Sequence, residues 1–195
     1  MPKNFYISDL HFGHGNIIRF DNRPYHSIEE MESALVANWN SAVRPEDTVH
    51  ILGDFSWGKD DDWRRVLSML TGGKVLVRGN HDLKHLSAPL KAMFQDIKDY
   101  KEITDSGRRV IMSHYPIPFY RAAHNPQVYM LCGHVHTTRE NDFLTRWRKE
   151  LQTSCSERSE HGDNRGQIYN VGCMLPYMGY TPRTLDEIIE GAESQ

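Results

Sequence analysis

At 195 residues the chain has the length of one domain with one substantial core, and a formal charge of -3 argues against a protein that grips nucleic acid by phosphate neutralisation alone. Three cysteines, Cys132, Cys155 and Cys173, are odd in number, far apart and in no C-x-x-C spacing, which suggests neither a zinc knuckle nor a disulfide framework and suits a reducing cytoplasm. The opening residues lack the apolar stretch of a signal peptide and no run is long enough to span a bilayer, so a soluble cytoplasmic protein without a membrane partner is expected.

The first predicted strand, 4–8 (NFYIS), leads directly into Asp9 and His11. Their spacing of two puts both side chains on one side of an extended chain. His14 follows closely, and Arg19 and Arg23 in NIIRFDNRP are candidates to hold a phosphate. A helix is predicted from Ser27, which forms a capping box with Glu30, and its apolar face carries Ile28, Met31, Leu35, Trp39 and Ala42.

Strand 48–52 (TVHIL) ends at Gly53 and Asp54, and Trp57 lies just beyond. A second helix carries Trp63, Val66, Leu67 and Leu70 and stops at Gly72 or Gly73. Strand 74–78 (KVLVR) ends in Arg78, Gly79, Asn80, His81 and Asp82. Arg78 is a third candidate phosphate contact. A weaker helix runs from Leu86 past Leu90 and Met93, with Pro89 tolerable only in its first turn.

Beyond this point strands dominate: 109–113 (RVIMS) delivers His114, 128–132 (VYMLC) delivers His134 and His136, and 167–171 (QIYNV) closes the series. A polar, turn-rich loop is expected at 153–166, and Thr184 with Glu187 caps a final helix. Strands alternating with helices early and pairing with one another later indicate an α/β chain, in one domain over 1–195.

Five strands thus each end in a potential ligand. Carboxylate, imidazole and amide together suit borderline divalent ions such as Mn²⁺, Fe²⁺, Ni²⁺ or Zn²⁺. Asp9, His11, Asp54, Asn80, His114, His134 and His136 are too many for one open catalytic ion, whereas two ions sharing a carboxylate account for them. Gly53, Gly79 and Gly133 each precede a ligand, where the backbone is expected to need positive φ or close approach.

Asp-x-His, Gly-Asp, Gly-Asn-His-Asp, a lone His after a strand and Gly-His-x-His, in that order, resemble the signature of the calcineurin-like metallophosphoesterases. The resemblance spans Asp9 to His136. It implies a four-layer αββα sandwich, two mixed sheets face to face with helices outside. It also implies that Asp9, His11 and His136 bind one ion, that Asn80, His114 and His134 bind the other, and that Asp54 bridges them. His81 is similar to the family's histidine that contacts the phosphate and protonates the leaving oxygen.

Protein phosphatases of that superfamily read Gly-Asp-x-Val-Asp-Arg-Gly at the second block. Here GDFSWGK puts Trp57 at the aspartate's place and supplies no arginine, which argues against phosphoprotein substrates. The expected activity is a two-metal phosphodiesterase, with Mn²⁺ the first choice of ion, in which hydroxide held between the ions attacks a small nucleotide-like diester. Nucleic acid is a less favoured substrate. A small-molecule phosphomonoesterase and a non-catalytic scaffold that keeps the fold are the alternatives. Trp57, Tyr115 and Phe119 are candidates to stack on a substrate ring. His26, His50, His85, His124 and His161 match no motif position and read as structural or surface residues.

Overall fold

Near-continuous apolar composition over three early segments is the signature of parallel strands buried on both faces. The computed structural model describes residues 1–158 and 164–194, with the side chains of 155–158 left aside. In it β1 (Asn4–Ile7), β2 (Thr48–Ile51) and β3 (Gly73–Val77) pair in parallel, and β4 (Asp96–Lys98) extends the sheet in the same sense. The connections carry α1 (Asn16–Phe20) and α2 (Ile28–Ala42), then α3 (Asp60–Met69), then α4 (Ala88–Lys91).

The second sheet contains β5 (Tyr100–Asp105), β6 (Arg108–Ser113), β7 (Val128–Cys132) and β8 (Ile168–Asn170) in that spatial order. Only its β5–β6 pair is antiparallel. Helix α5 (Arg139–Arg158) lies between β7 and β8 in the chain, and α6 (Leu185–Glu193) closes it.

Side-chain alternation along the second sheet divides the core. Val110, Met112, Leu131 and Tyr169 join the large cluster that contains the first sheet and α2, α3 and α6. Their neighbours Ile111, Met130, Cys132 and Ile168 face the other way, into a smaller cluster with Leu144 of α5. Tyr6 of β1 donates its hydroxyl hydrogen to Asp105 of β5 at 2.7 Å, which identifies the face of the first sheet that meets the second. The result is two four-stranded sheets with helices outside them, an α/β architecture.

All six strands expected from sequence are present. Ser27 accepts from Glu30 N–H at 3.1 Å, although Glu30 returns its bond to His26 N–H rather than to Ser27. Thr184 and Glu187 form the full reciprocal box. Three expectations need correction. The helix from Leu86 is a single turn, started by Ser87, whose hydroxyl accepts from Leu90 N–H, and holding Pro89 in its first turn. Strands β4 and β5 have no counterpart in the sequence reading. The predicted loop 153–166 is helical as far as Arg158, because α5 continues through it; residues 159–163, with His161, lie outside the described residues.

Candidate metal centre

In a parallel sheet all C-terminal strand ends lie at one edge, and that is where α/β proteins gather ligand-binding groups. Asp9 and His11 follow β1, Asp54 follows β2, Asn80 and His81 follow β3, His114 follows β6, and His134 and His136 follow β7. Backbone bonds join the two sheets at this edge. Ser8 N–H donates to Val171 O at 2.9 Å and Cys173 N–H to Ser8 O at 3.0 Å, while within the first sheet Asp9 N–H donates to Gly53 O at 3.0 Å.

The side chains form two overlapping groups. Asp9, His11, Asp54 and His136 offer ligand atoms within 4.8 Å of one another, and so do Asp54, His114 and His134. Asp54 belongs to both. One of its oxygens, Oδ2, lies 3.7 Å from His11 Nε2 and 3.6 Å from His114 Nε2, while His136 Nε2 is 3.5 Å from Asp9 Oδ1. These separations exceed a hydrogen bond but match donors that share an ion at about 2.0–2.2 Å. Asn80 Oδ1 adjoins the second group, 2.9 Å from His114 Nε2.

Two local details fit a cation. His11 Nε2 is buried and has no hydrogen-bond partner. His114 Nδ1 faces the Leu52 carbonyl at 2.8 Å and must donate to it, so in the neutral ring Nε2 presents a lone pair to the Asn80 oxygen. Two facing acceptors are costly unless something positive lies between them. Burial, reinforced by the charges of His136 and Arg23, pushes the His11 pKa down to about 2, and burial also lowers His134. Neutral imidazole is the form that ligates metal. Burial raises the Asp9 carboxyl above its usual range, the expected behaviour of a fully enclosed carboxylate.

A further layer of groups aims these side chains, and sequence reading missed one of its main members. Asp21 accepts from His136 Nδ1 at 2.7 Å and from Arg23 Nη2 at 2.8 Å. Burial raises the pKa of His136's partner Asp21, but the bonds to His136 and Arg23 outweigh it and the net shift is downward. For His136 burial acts downward, and the Asp21 bond with the Asp9 charge reverses it. The one available signal was position, since Asp21 stands between Arg19 and Arg23. Ser8 donates to Asp9 Oδ2 at 2.6 Å, and Asn170 Nδ2 holds the His136 carbonyl at 3.1 Å. Asp82 orients the loop rather than the His81 ring: it accepts from the N–H groups of Gly79, Phe55 and Asp54 at 2.7, 2.8 and 3.2 Å. Burial raises its pKa to about 6.

The backbone here is unusual. Five of the nine non-glycine residues with positive φ among the described residues are Asp9, His11, Asp54, His134 and His136, at 56°, 52°, 50°, 70° and 45°. Such conformations cost of order 1–3 kcal/mol each and persist only where surrounding structure enforces them. Of the three glycines expected to need positive φ or close approach, Gly53 has the positive φ, at +86°. Gly79 and Gly133 serve close approach instead: a Cβ would lie 2.3 Å from Asp54 Oδ1 at the first and 2.5 Å from Ser8 Oγ at the second.

His81 is exposed, and its N–H donates to Asp54 Oδ1 at 2.9 Å. Its ring lies 5.8 Å from that of His11 and 5.5 Å from Trp57. His14 stacks on Trp57 at 4.5 Å, forming a wall beside the centre. The candidate phosphate contacts separate. Arg23 is corrected: it is 4 % exposed, and its N–H groups go to Asp21, Leu10 O, Asp9 O and Met31 Sδ, leaving none for a phosphate. Arg19 is exposed and lies over Phe20. Arg78 is exposed at the groove beside Asn80 and pairs with Asp99 at 2.7 and 2.9 Å.

Comparison with known proteins agrees with this geometry. Residues 3–150 match the family described as the calcineurin-like phosphoesterase superfamily domain. An uncharacterized protein of Methanocaldococcus jannaschii is 34 % identical over 158 residues, covering 79 % of this chain and 82 % of that protein. The gene 66 protein of Mycobacterium phage L5 is 36 % identical over 88 residues, 44 % of this chain and 42 % of its own. Among solved structures, a protein of unknown function from Aquifex aeolicus superposes with a TM-score of 0.61 at 26 % identity, covering 97 % of this chain and 99 % of that one.

Proposed function

We propose that this chain, which belongs to the calcineurin-like phosphoesterase superfamily, is a two-metal phosphodiesterase acting on a small, nucleotide-like phosphodiester. The observation that carries the reading is the Asp54 carboxylate, common to two groups of ligand atoms. Asp9, His11 and His136 would hold one divalent cation and Asn80, His114 and His134 the other. Mn²⁺ is the first choice, and Fe²⁺, Ni²⁺ and Zn²⁺ suit the same donors. Bound there, such cations supply Lewis acidity and lower the pKa of a water beside phosphorus.

The chain's own residues position and protonate. Leu52 O and Asp21 fix the rings of His114 and His136 with Nε2 turned inward. Asp54 N–H and Oδ1 tie the β2 and β3 loops together through Asp82 and His81. His81, anchored by its main chain and exposed at the ring, would give a proton to a departing alkoxide. Trp57 is 46 % exposed where phosphoprotein phosphatases carry an aspartate, and Arg23 is internal, so neither position supplies a charged group to the substrate. That supports a diester with one negative charge over a dianionic monoester. Buried, unpaired Cys132 and Cys173 suit a reducing cytoplasm, and no helix among the described residues is long and apolar enough to cross a membrane.

The test is hydrolysis of bis(p-nitrophenyl) phosphate and of p-nitrophenyl phosphate by chelator-stripped protein with Mn²⁺ returned. The diester is expected to turn over faster, and His81→Ala to lower its kcat by roughly 10²–10⁴. Undiminished activity after exhaustive chelation, or a preference for the monoester, contradicts the proposal.

A further inference from the structure

Between the loop after β6 and helix α5 runs a groove of about 640 Å³, lined by Tyr115, Pro116, Phe119, Phe143 and Trp147 and reaching His134. That volume lies in the range of small-molecule sites. Phe119 is 84 % and Phe143 63 % exposed, a large apolar exposure within one concave surface. The rings meet edge to face rather than closing on one another: Tyr115 on His134 at 4.6 Å and 66°, and Phe119 on Trp147 at 5.9 Å and 81°. Such an arrangement leaves ring faces free to receive another ring.

The groove is continuous with the metal centre. His134 belongs both to its wall and to the group that contains Asp54 and His114. Tyr115 also lines a second groove, of about 470 Å³, whose walls include Arg78, Asn80, Lys84 and His114. Two grooves, one aromatic and one carrying the cationic side chains of Arg78 and Lys84, therefore meet at the candidate reaction centre. A phosphodiester has two substituents to place, and a monoester has one.

We infer that the groove between the β6–β7 loop and α5 is the subsite for an aromatic or heteroaromatic arm of the phosphodiester substrate, with Phe119, Phe143 and Trp147 as its specificity determinants. This rests on the proposed phosphodiesterase reading and adds the chemical class of one arm. Recognition comes from ring stacking and apolar burial.

The experiment compares bis(p-nitrophenyl) phosphate with methyl p-nitrophenyl phosphate, which share a leaving group and differ in the other arm. The ratio of their kcat/KM values is measured for the Mn²⁺-loaded full chain and for Phe119→Ala, Phe143→Ala and Trp147→Ala. Intrinsic reactivity cancels when ratios are compared between proteins. A fall of roughly fivefold or more in the ratio, carried by KM, is expected. An unchanged ratio in all three variants, with both substrates hydrolysed, overturns the subsite and leaves the phosphodiesterase reading standing.

A second measurement does not need turnover. Calorimetric titration with phenylphosphonate and methylphosphonate should show tighter binding of the phenyl compound, with the preference lost in Phe119→Ala and Phe143→Ala. Equal affinities in the unaltered protein overturn the inference even if no diester is hydrolysed. Preference for an octyl over a phenyl phosphonate overturns it as well, since the groove would then take a flexible chain.

Discussion

Asp21 shows how much of the centre depends on a residue that does not belong to the ligand pattern. It holds the ring of His136 by Nδ1, and it holds Arg23, whose guanidinium in turn binds the carbonyls of Asp9 and Leu10. One carboxylate thus fixes a ring and, through a buried cation, the backbone of the first ligand loop. Partners of this kind typically account for 10–100-fold in metal affinity. Asp21→Asn is accordingly expected to weaken Mn²⁺ binding by roughly 10–100-fold in calorimetry while the protein still melts cooperatively. An unchanged affinity would mean that His136 is held by its other contacts. The candidate ligands were legible because imidazoles and carboxylates stand out after apolar strands. Asp21 was not, since an aspartate between two arginines looks like any solvated turn. Arg23 was misread for the matching reason: nothing in NIIRFDNRP tells a buried arginine from one facing solvent.

At the scale of elements, the loops after β2 and β3 approach so closely that glycine is required between them. A Cβ on Gly79 would lie 2.3 Å from Asp54 Oδ1 and 2.4 Å from Asp54 N, the latter a backbone atom that cannot swing aside. Gly79→Ala should therefore cost about 1–3 kcal/mol in denaturant unfolding and shift Asp54 out of the two ligand groups. Gly15→Ala, whose nearest neighbour would be Ile28 Cδ1 at 3.9 Å, is the control and should stay within about 0.5 kcal/mol. Equal effects of the two substitutions would remove the argument for close approach. Strands buried on both faces declare themselves by composition, which is why β1, β2, β3, β6, β7 and β8 could be read. The strands β4 and β5 are largely half-exposed or exposed, so their apolar residues are too sparse to signal. Helix α5 is rich in charge along its whole length and buries Leu144 and Arg148, the latter over the Tyr169 ring at 4.7 Å. A buried arginine in place of an apolar residue breaks the periodicity from which helices are recognised.

On the scale of the whole molecule, two sheets must be held at one spacing for ligands from five strands to meet. Polar residues take part in that packing. Tyr6 bonds to Asp105 across the sheets and stacks on His50 at 5.3 Å. His50 is 3 % exposed, with Nε2 3.0 Å from Asn4 Oδ1 and Nδ1 unpartnered. Burial first, and then the Lys101 charge, pushes its pKa down to about 4 against the attraction of Asp105. The unfolded chain, with an ordinary imidazole near 6.5, takes up the proton first. The stabilisation is therefore complete above about pH 6.5 and is lost as the pH falls towards about 4, by an amount on the order of 3 kcal/mol. Comparing unfolding free energies of the parent and His50→Gln between pH 7 and pH 4 isolates this contribution from that of the other histidines. The two curves should converge on acidification, and parallel curves would show that His50 carries no such linkage.

The spatial convergence of those strands is what the motif order alone could only imply, because no local pattern states which strand ends are neighbours. The central claim is that Asp54 serves two cations at once. Calorimetric titration of Mn²⁺ into chelator-stripped protein, with bound metal counted by elemental analysis after dialysis, tests it most directly. The account predicts two equivalents per chain, falling to one or none in Asp54→Ala, whereas a parent protein that saturates at one equivalent would contradict it.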